Sequence, residues 1–149
     1  PNSPVIATGK RDGSKIRLPN GNYLEETASY YVMIETKTGG YTPALITMKS
    51  TQLNVSKKWN SMMKTIQIPD GKGGFAIPPM HGVVYNLAST LQKNDKGSWY
   101  GWVVTQDRIM GQNDKTLYLS AKDFAGNVSK GSVQTKADVE ETSSDSTPY

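Results

Sequence analysis

The chain has 149 residues, a length typical of one domain that buries its own core without disulfides or bound metals. The absence of cysteine and the single histidine exclude a disulfide framework, a thiolate metal site and an imidazole cluster, so we expect no zinc and no other cofactor. The net charge is +4, and no apolar run approaches the roughly 20 residues of a membrane span. We therefore expect an intracellular protein with no membrane contact.

The first 22 residues are predicted to form a basic arm that ends in an edge strand. Residues 15–18 alternate between basic and apolar side chains, and the Pro-Asn-Gly-Asn sequence at 19–22 is typical of a turn. The chain begins with Pro1, so we expect either that an initiator Met was removed or that the chain is part of a longer protein.

A hairpin followed by a helix is predicted next. Residues 29–35 and 43–49 are rich in strand formers and are separated by Thr-Gly-Gly at 38–40, with Ile46 and Met48 on one face of the second strand. From Asn54 the apolar residues recur with helical spacing, and Asn54 or Ser56 is expected to cap this helix. The residues of its apolar face are Val55, Trp59, Met62, Met63 and Ile66.

The second half of the chain predicts another hairpin and another helix. Strands at 83–91 and 99–105 flank a turn at 93–97, and helical spacing recurs over 117–128, with Asn113 or Asp114 as a cap and Gly131 as the stop. This order fits a mainly β, α+β fold, an OB-like five-stranded barrel with one helix between strands and one C-terminal helix. The predicted units are a basic arm and edge strand at 1–22, an OB-like β domain at 23–135 and an acidic disordered tail at 136–149.

Aromatic side chains mark a candidate binding strand. Side chains alternate along a strand, so Tyr100 and Trp102 share one side and Trp99 and Val103 the other. If Val103 faces the core, Tyr100 and Trp102 line an outer face or groove, where they are expected to stack on nucleic-acid bases together with Tyr85. Packing of these rings in the core is the alternative interpretation.

Basic residues concentrate in the middle of the chain, in a stretch whose single acidic residue is Asp70. A basic stretch that is not neutralised locally is suited to binding a phosphate backbone. The simpler interpretation is that its lysines form the solvent-exposed face of an amphipathic helix. The candidate phosphate ligands are Lys49, Lys57, Lys58, Lys64 and Lys72.

Catalysis has little support in the sequence. His81 has no neighbouring nucleophile motif, and the glycine-rich segment at 71–74 lacks the spacing of a phosphate-binding loop, so we expect no enzyme.

The end of the chain has the opposite charge to the rest. All 17 basic residues precede Ala137, together with 9 of the 13 acidic ones, so the body carries about +8 and the tail −4. This asymmetry predicts a body that attracts a polyanion and a tail that competes for the same surface. The tail residues concerned are Asp138, Glu140, Glu141, Asp145 and the terminal Tyr149.

Four motifs resemble a group of small proteins encoded by tailed bacteriophages. They are 46–53 (ITMKSTQL), 56–62 (SKKWNSM), 78–80 (PPM) and 94–102 (NDKGSWYGW), and the resemblance spans roughly 30–131. The resemblance implies a phage gene that lies among replication and recombination genes. Members are often longer at the N-terminus, which would make this chain the C-terminal part of one.

The acidic tail with an aromatic terminus resembles that of phage and bacterial single-stranded DNA-binding proteins, which join an OB-fold to such a tail. That resemblance implies that the tail binds replication or recombination proteins and masks the DNA groove, although here the tail is diluted by Ser and Thr and ends in Tyr149, where Phe is usual.

The sequence thus predicts a phage single-stranded DNA-binding protein that protects or organises the strand in the cytoplasm of the infected host, as a homo-oligomer. The alternative is a virion structural protein, a capsid-decorating or tail-associated β domain. An inhibitor of a host enzyme is a third reading that the sequence leaves open.

Overall fold

Residues 4–13 and 15–133 are described by the computed structural model, and they begin with a short helix and a small sheet. Helix α1 (Pro4–Ala7) precedes strands β1 (Lys10–Asp12), β2 (Lys15–Arg17) and β3 (Tyr23–Glu25), which pair antiparallel in the order β1-β2-β3. The strand predicted at 15–18 is thus confirmed as β2, but the prediction that it is an edge strand is wrong, because β2 lies between β1 and β3. No pattern in the sequence had indicated α1, β1 or β3. Because β2 pairs with β3, this sheet runs across the expected boundary at residue 22.

The first predicted hairpin is confirmed as β4 (Thr27–Glu35) and β5 (Tyr41–Lys49). Its register pairs Ala28 with Met48 and Tyr30 with Ile46. Ile46 and Met48 are buried, as the alternation predicts, and the connecting turn places Gly39 at a φ of 81°, where glycine is favoured.

The predicted amphipathic helix is confirmed as α2 (Leu53–Thr65), which lies on the inner face of the β4–β5 hairpin. Trp59 is buried, and its ring stacks on Tyr30 with the ring centroids 4.4 Å apart. The expected cap by Asn54 or Ser56 is wrong, because the helix begins before both residues. Ser56 is instead buried, with its Oγ 2.6 Å from the Tyr30 hydroxyl, so it ties the helix to the strand.

The second predicted hairpin is also confirmed, and both of its strands are longer than the sequence predicts. Two very short strands, β6 (Ile68–Pro69) and β7 (Phe75–Ala76), come before it. The hairpin itself consists of β8 (Val83–Asn94) and β9 (Gly97–Ile109), joined by a turn of two residues.

The C-terminal helix of the described region is α3 (Lys115–Ser129), and it ends as predicted near Gly131, whose φ is 68°. The helix packs against the short turn Met80–Gly82 before β8. Asp114 stands at the N-cap position, but its carboxylate accepts hydrogen bonds from the Gly111 N–H and from Arg108 and not from the helix amides.

The core lies where α2 meets both hairpins. Ile46, Met48 and Trp59 form its buried centre, and Leu87 and Val104 of the second hairpin pack against them. Helix α2 is therefore the shared partner that holds the two hairpins together through side-chain packing.

The α+β class is confirmed, but the five-stranded OB-like barrel is not. Within the described residues the strands form four separate antiparallel sheets, of three, two, two and two strands. β5 pairs with β4 and β8 pairs with β9, so hydrogen bonds do not join the two hairpins into one closed sheet. No helix in this part of the chain is long and apolar enough to cross a membrane.

Candidate nucleic-acid interface

The outer half of the β8–β9 hairpin presents an open face that carries two aromatic rings. Leu87 and Val104 are paired across the strands and both pack on the core. Towards the turn, the side chains that alternate in step with Leu87 and Val104 lie on the same side of the two-stranded ribbon, and they are exposed there. We call this surface the distal hairpin face; its residues are Leu91, Lys93, Ser98, Tyr100 and Trp102.

Exposure of the two rings is the main property of this face. The side chain of Tyr100 is 73% exposed and that of Trp102 is 37% exposed, and Leu91, the cross-strand partner of Tyr100, is 48% exposed. Rings held on a strand with this exposure are free to stack on a flat ligand.

The opposite side of the same strand explains why this face is the free one. Gly101 is buried, and a Cβ added there would lie 2.7 Å from Gln52 Nε2. Gln52 Oε1 accepts a hydrogen bond of 2.8 Å from the Trp102 N–H, so the segment before α2 is fastened to β9 at this point. Trp99, on the Gly101 side, is correspondingly half-buried.

The prediction that Tyr100 and Trp102 lie on an outer face assumes that Val103 faces the core, and Val103 does not face the core. Val103 is 38% exposed, whereas Val104, which shares their parity, packs on the core. The two rings are open because they lie further along the ribbon than the core contacts.

The hairpin register adds three residues to the candidate site that the sequence analysis missed, namely Leu91, Lys93 and Ser98. Asn94 pairs with Gly97, which puts Lys93 opposite Ser98 and Leu91 opposite Tyr100. The sequence contains a pattern that predicts this register: a two-residue turn of Asp95 and Lys96, flanked by Asn94 and Gly97. Lys93 is exposed and provides a cation on the same face as the rings.

Tyr85, the third expected stacking residue, lies in a different environment. Its ring meets Trp59 edge to face, with centroids 5.6 Å apart, and burial raises the pKa of its hydroxyl. Its side chain has the parity of the distal hairpin face but packs against the core, so we leave Tyr85 out of the candidate surface.

The five predicted phosphate ligands are all exposed, but they do not lie on one surface. Lys49 follows Met48 on β5 and so points away from α2, where its Nζ lies 3.7 Å from a carboxylate oxygen of Glu25. Lys57 and Lys64 are seven residues apart on α2, on the side opposite Trp59. The hairpin and its helix therefore separate Lys49 from these two lysines.

Lys72 is presented by the turn between β6 and β7. The Asp70 carboxylate accepts hydrogen bonds from the N–H groups of Lys72 and Gly74, at 2.7 and 2.9 Å, and these bonds lower the pKa of Asp70. The glycine-rich stretch is thus a hairpin turn built around Asp70, with Lys72 exposed at its tip.

His81 is part of the contact between the Met80–Gly82 turn and α3. Its ring centroid lies 5.3 Å from that of Tyr118, and burial, with a smaller contribution from Lys122, lowers the pKa of its imidazole. The described residues include no group of three acidic or histidine side chains placed to hold a metal ion.

The predicted tail residues lie outside the described part of the chain. They are Asp138, Glu140, Glu141, Asp145 and Tyr149.

Comparison with known families matches residues 3–134 to a family described as Pam3 phage gp34-like protein. No curated protein and no solved structure matches the chain. The match spans both hairpins, α2 and α3, and it confirms a phage protein group; it says nothing of single-stranded DNA-binding proteins. The chain belongs to the family of Pam3 phage gp34-like proteins.

Proposed function

We propose that this phage protein binds single-stranded DNA through the distal hairpin face and protects or organises the strand during replication or recombination. The observation that carries the proposal is the pair of exposed rings, Tyr100 and Trp102, on the same side of one strand. Stacking of unpaired bases on such rings is worth about 1–3 kcal/mol per base and tolerates any sequence. An exposed strand face can supply this stacking whether or not it belongs to an OB-like barrel.

Charge supports the same ligand. The chain up to residue 136 carries about +8, which attracts a polyanion over the whole surface. Lys93 shares the distal hairpin face with the rings, and Lys96 lies in the turn that precedes their strand, although Asp95 lies between the two lysines in sequence. We assign the nearest phosphates to these two lysines. The remaining predicted lysines lie on more than one surface, so we assign them only a share in the overall positive charge; they are Lys49, Lys57, Lys58, Lys64 and Lys72.

Binding is expected to weaken steeply with salt, because phosphate neutralisation releases condensed counterions. The log–log slope of the association constant against salt should be about −0.7 for each phosphate neutralised on a single strand. Fluorescence anisotropy of a labelled, unstructured oligonucleotide at several salt concentrations measures the slope. A duplex of the same sequence is the control and should bind more weakly, since its bases are not free to stack; an affinity that ignores salt would count against the proposal.

We further propose that the acidic tail competes with DNA for the basic body. Deletion of residues 137–149 removes four negative charges and should tighten oligonucleotide binding, most clearly at low salt. The same deletion should weaken binding to a phage or host replication protein. Replacing the four acidic residues by their amides in the full-length chain is the matched control and should also tighten DNA binding. Unchanged DNA affinity in both variants would contradict the competition.

A virion structural role is the second candidate, and a separate surface favours it. Phe75, Ile77 and Met80 are 71%, 58% and 73% exposed in the segment that leads into β8. Large exposed apolar side chains that follow one another this closely along the chain are candidates for a contact with another protein. Mass spectrometry of purified particles and of infected-cell lysate distinguishes a virion component from a protein of the host cytoplasm. In either role we assign the protein no catalytic activity.

A further inference from the structure

An open pocket of about 330 Å³ lies between the segment before α2 and the turn of the β8–β9 hairpin. Its volume is at the lower end of the range for small-molecule sites, about 300–1,000 Å³. None of its lining residues is acidic, and all except Gly97 and Trp99 carry a hydroxyl, amide or ammonium group. We call it the turn pocket; its residues are Ser50, Thr51, Asn94, Lys96, Gly97, Ser98 and Trp99.

The turn pocket contains a backbone N–H that is not used in pairing with β8. Asn94 and Gly97 flank a two-residue turn, so they form a hydrogen-bonded pair. Such pairs alternate with non-bonded ones along an antiparallel ribbon, so the N–H of the next residue, Ser98, points away from β8. The Trp102 N–H, four residues further on, also points outward, where it donates to Gln52 Oε1. Because Ser98 lines the pocket, its N–H is available to a ligand there.

Lys96 adds a positive charge to the pocket. Its side chain is exposed and belongs to no ion pair within residues 4–13 and 15–133. Its own backbone N–H donates to Asn94 Oδ1 at 2.8 Å, which fixes the turn that presents it. Ammonium groups and backbone N–H groups are both strong donors to phosphate oxygens. The pocket therefore has donors for one phosphate group.

The rest of the pocket suits a nucleic-acid base. The half-buried Trp99 forms part of the wall, and aromatic side chains pack on bases of any sequence. The hydroxyl groups of Ser50 and Thr51 can donate to the edge of a base or accept from it. Ser50 is also the one non-glycine residue with a positive φ in the described part of the chain, 52°, and strained backbone of this kind recurs at ligand sites.

We propose that the turn pocket binds one nucleotide, with its phosphate at Lys96 and the Ser98 N–H and its base against Trp99. Ser98 also belongs to the distal hairpin face, so the two surfaces meet at the edge of β9. The nucleotide can therefore be part of a strand that lies across the rings, or it can be a free mononucleotide. The strand as source rests on the proposed function, whereas the free mononucleotide needs only the pocket.

NMR titration of the isotope-labelled, full-length protein with thymidine monophosphate tests the pocket. We expect saturable shifts of the Ser98 amide and Trp99 indole N–H peaks, while the indole peak of the buried Trp59 should not move. Lys96→Gln should weaken binding by about 3- to 10-fold, the effect of losing one charged hydrogen bond at an exposed position. Lys37→Gln, which changes an exposed lysine in the turn of the other hairpin, is the matched control and should have no effect.

A second variant and further ligands make the test decisive. Thr51→Trp, which fills the pocket, should abolish the shifts, and thymidine or inorganic phosphate should each bind more weakly than the nucleotide. No saturable shift with thymidine monophosphate, equal affinity for inorganic phosphate, or equal effects of Lys96→Gln and Lys37→Gln would overturn the proposal.

An oligothymidylate distinguishes the two sources and separates this proposal from the proposed function. If it shifts the same two peaks, a strand supplies the nucleotide. If only the mononucleotide shifts them, the pocket holds a free nucleotide and the proposed function loses support. An oligonucleotide that binds while the mononucleotide does not would overturn the pocket and leave the proposed function in place.

Discussion

Replacing Trp59 with alanine is expected to lower the free energy of unfolding by about 3–5 kcal/mol. The indole is 5% exposed, stacks on Tyr30 and meets Tyr85 edge to face. It also packs beside Met48, which is completely buried. Its loss leaves a cavity where α2 joins the two hairpins, so both hairpins lose their shared contact.

Chemical denaturation followed by circular dichroism measures this effect, with Trp102→Ala as the control. Trp102 is 37% exposed, so its removal should change stability by less than about 1 kcal/mol. Trp59→Phe should cost much less than Trp59→Ala, because the Trp59 Nε1 has no hydrogen-bond partner in the described residues and the phenyl ring keeps most of the packing. Similar losses from Trp59→Ala and Trp102→Ala would show that the core is elsewhere.

The double variant Tyr100→Ala/Trp102→Ala is expected to weaken oligonucleotide binding by about 2–6 kcal/mol, the loss of two stacked bases. Each single variant should account for about half of the loss, provided that the two rings act on separate bases. Anisotropy titrations at low salt measure the affinities, and denaturation of each variant checks that the fold is kept.

Phe75→Ala is the matched control for the double variant. Phe75 is 71% exposed, close to the 73% of Tyr100, but it lies on β7 and not on the distal hairpin face. Its removal should leave the affinity unchanged. If Phe75→Ala weakens binding as much as the double variant does, the rings of β9 are not the specific contact.

Local patterns in the sequence were sufficient for the main elements. Period-two alternation located both long hairpins, and the helical spacing from Val55 to Ile66 located α2. Strand β1 (Lys-Arg-Asp) contains no apolar side chain and β3 (Tyr-Leu-Glu) has two in succession, so neither shows the alternation that identified β2. The barrel was expected from element order alone, and the order does not reveal which strands pair across the fold.

The candidate site depends on contacts that the sequence does not contain. Tyr85 and Tyr100 have the same parity on the ribbon, but Tyr85 meets Trp59 and Tyr100 meets solvent, because of where α2 crosses the hairpin. Likewise Lys49 and Lys57 are close in sequence, yet the hairpin and the helix point them in opposite directions. Spacing identified the residue types, while long-range packing decided which of them are available.

Photo-crosslinking of a halogenated single-stranded oligonucleotide to the full-length protein, with the attached peptide identified by mass spectrometry, tests the central claim most directly. We predict crosslinks at Tyr100 or Trp102, within β9 (Gly97–Ile109), that an unlabelled strand competes away and that high salt suppresses. Crosslinks confined to other elements, or none at low salt with excess protein, would contradict the proposed interface.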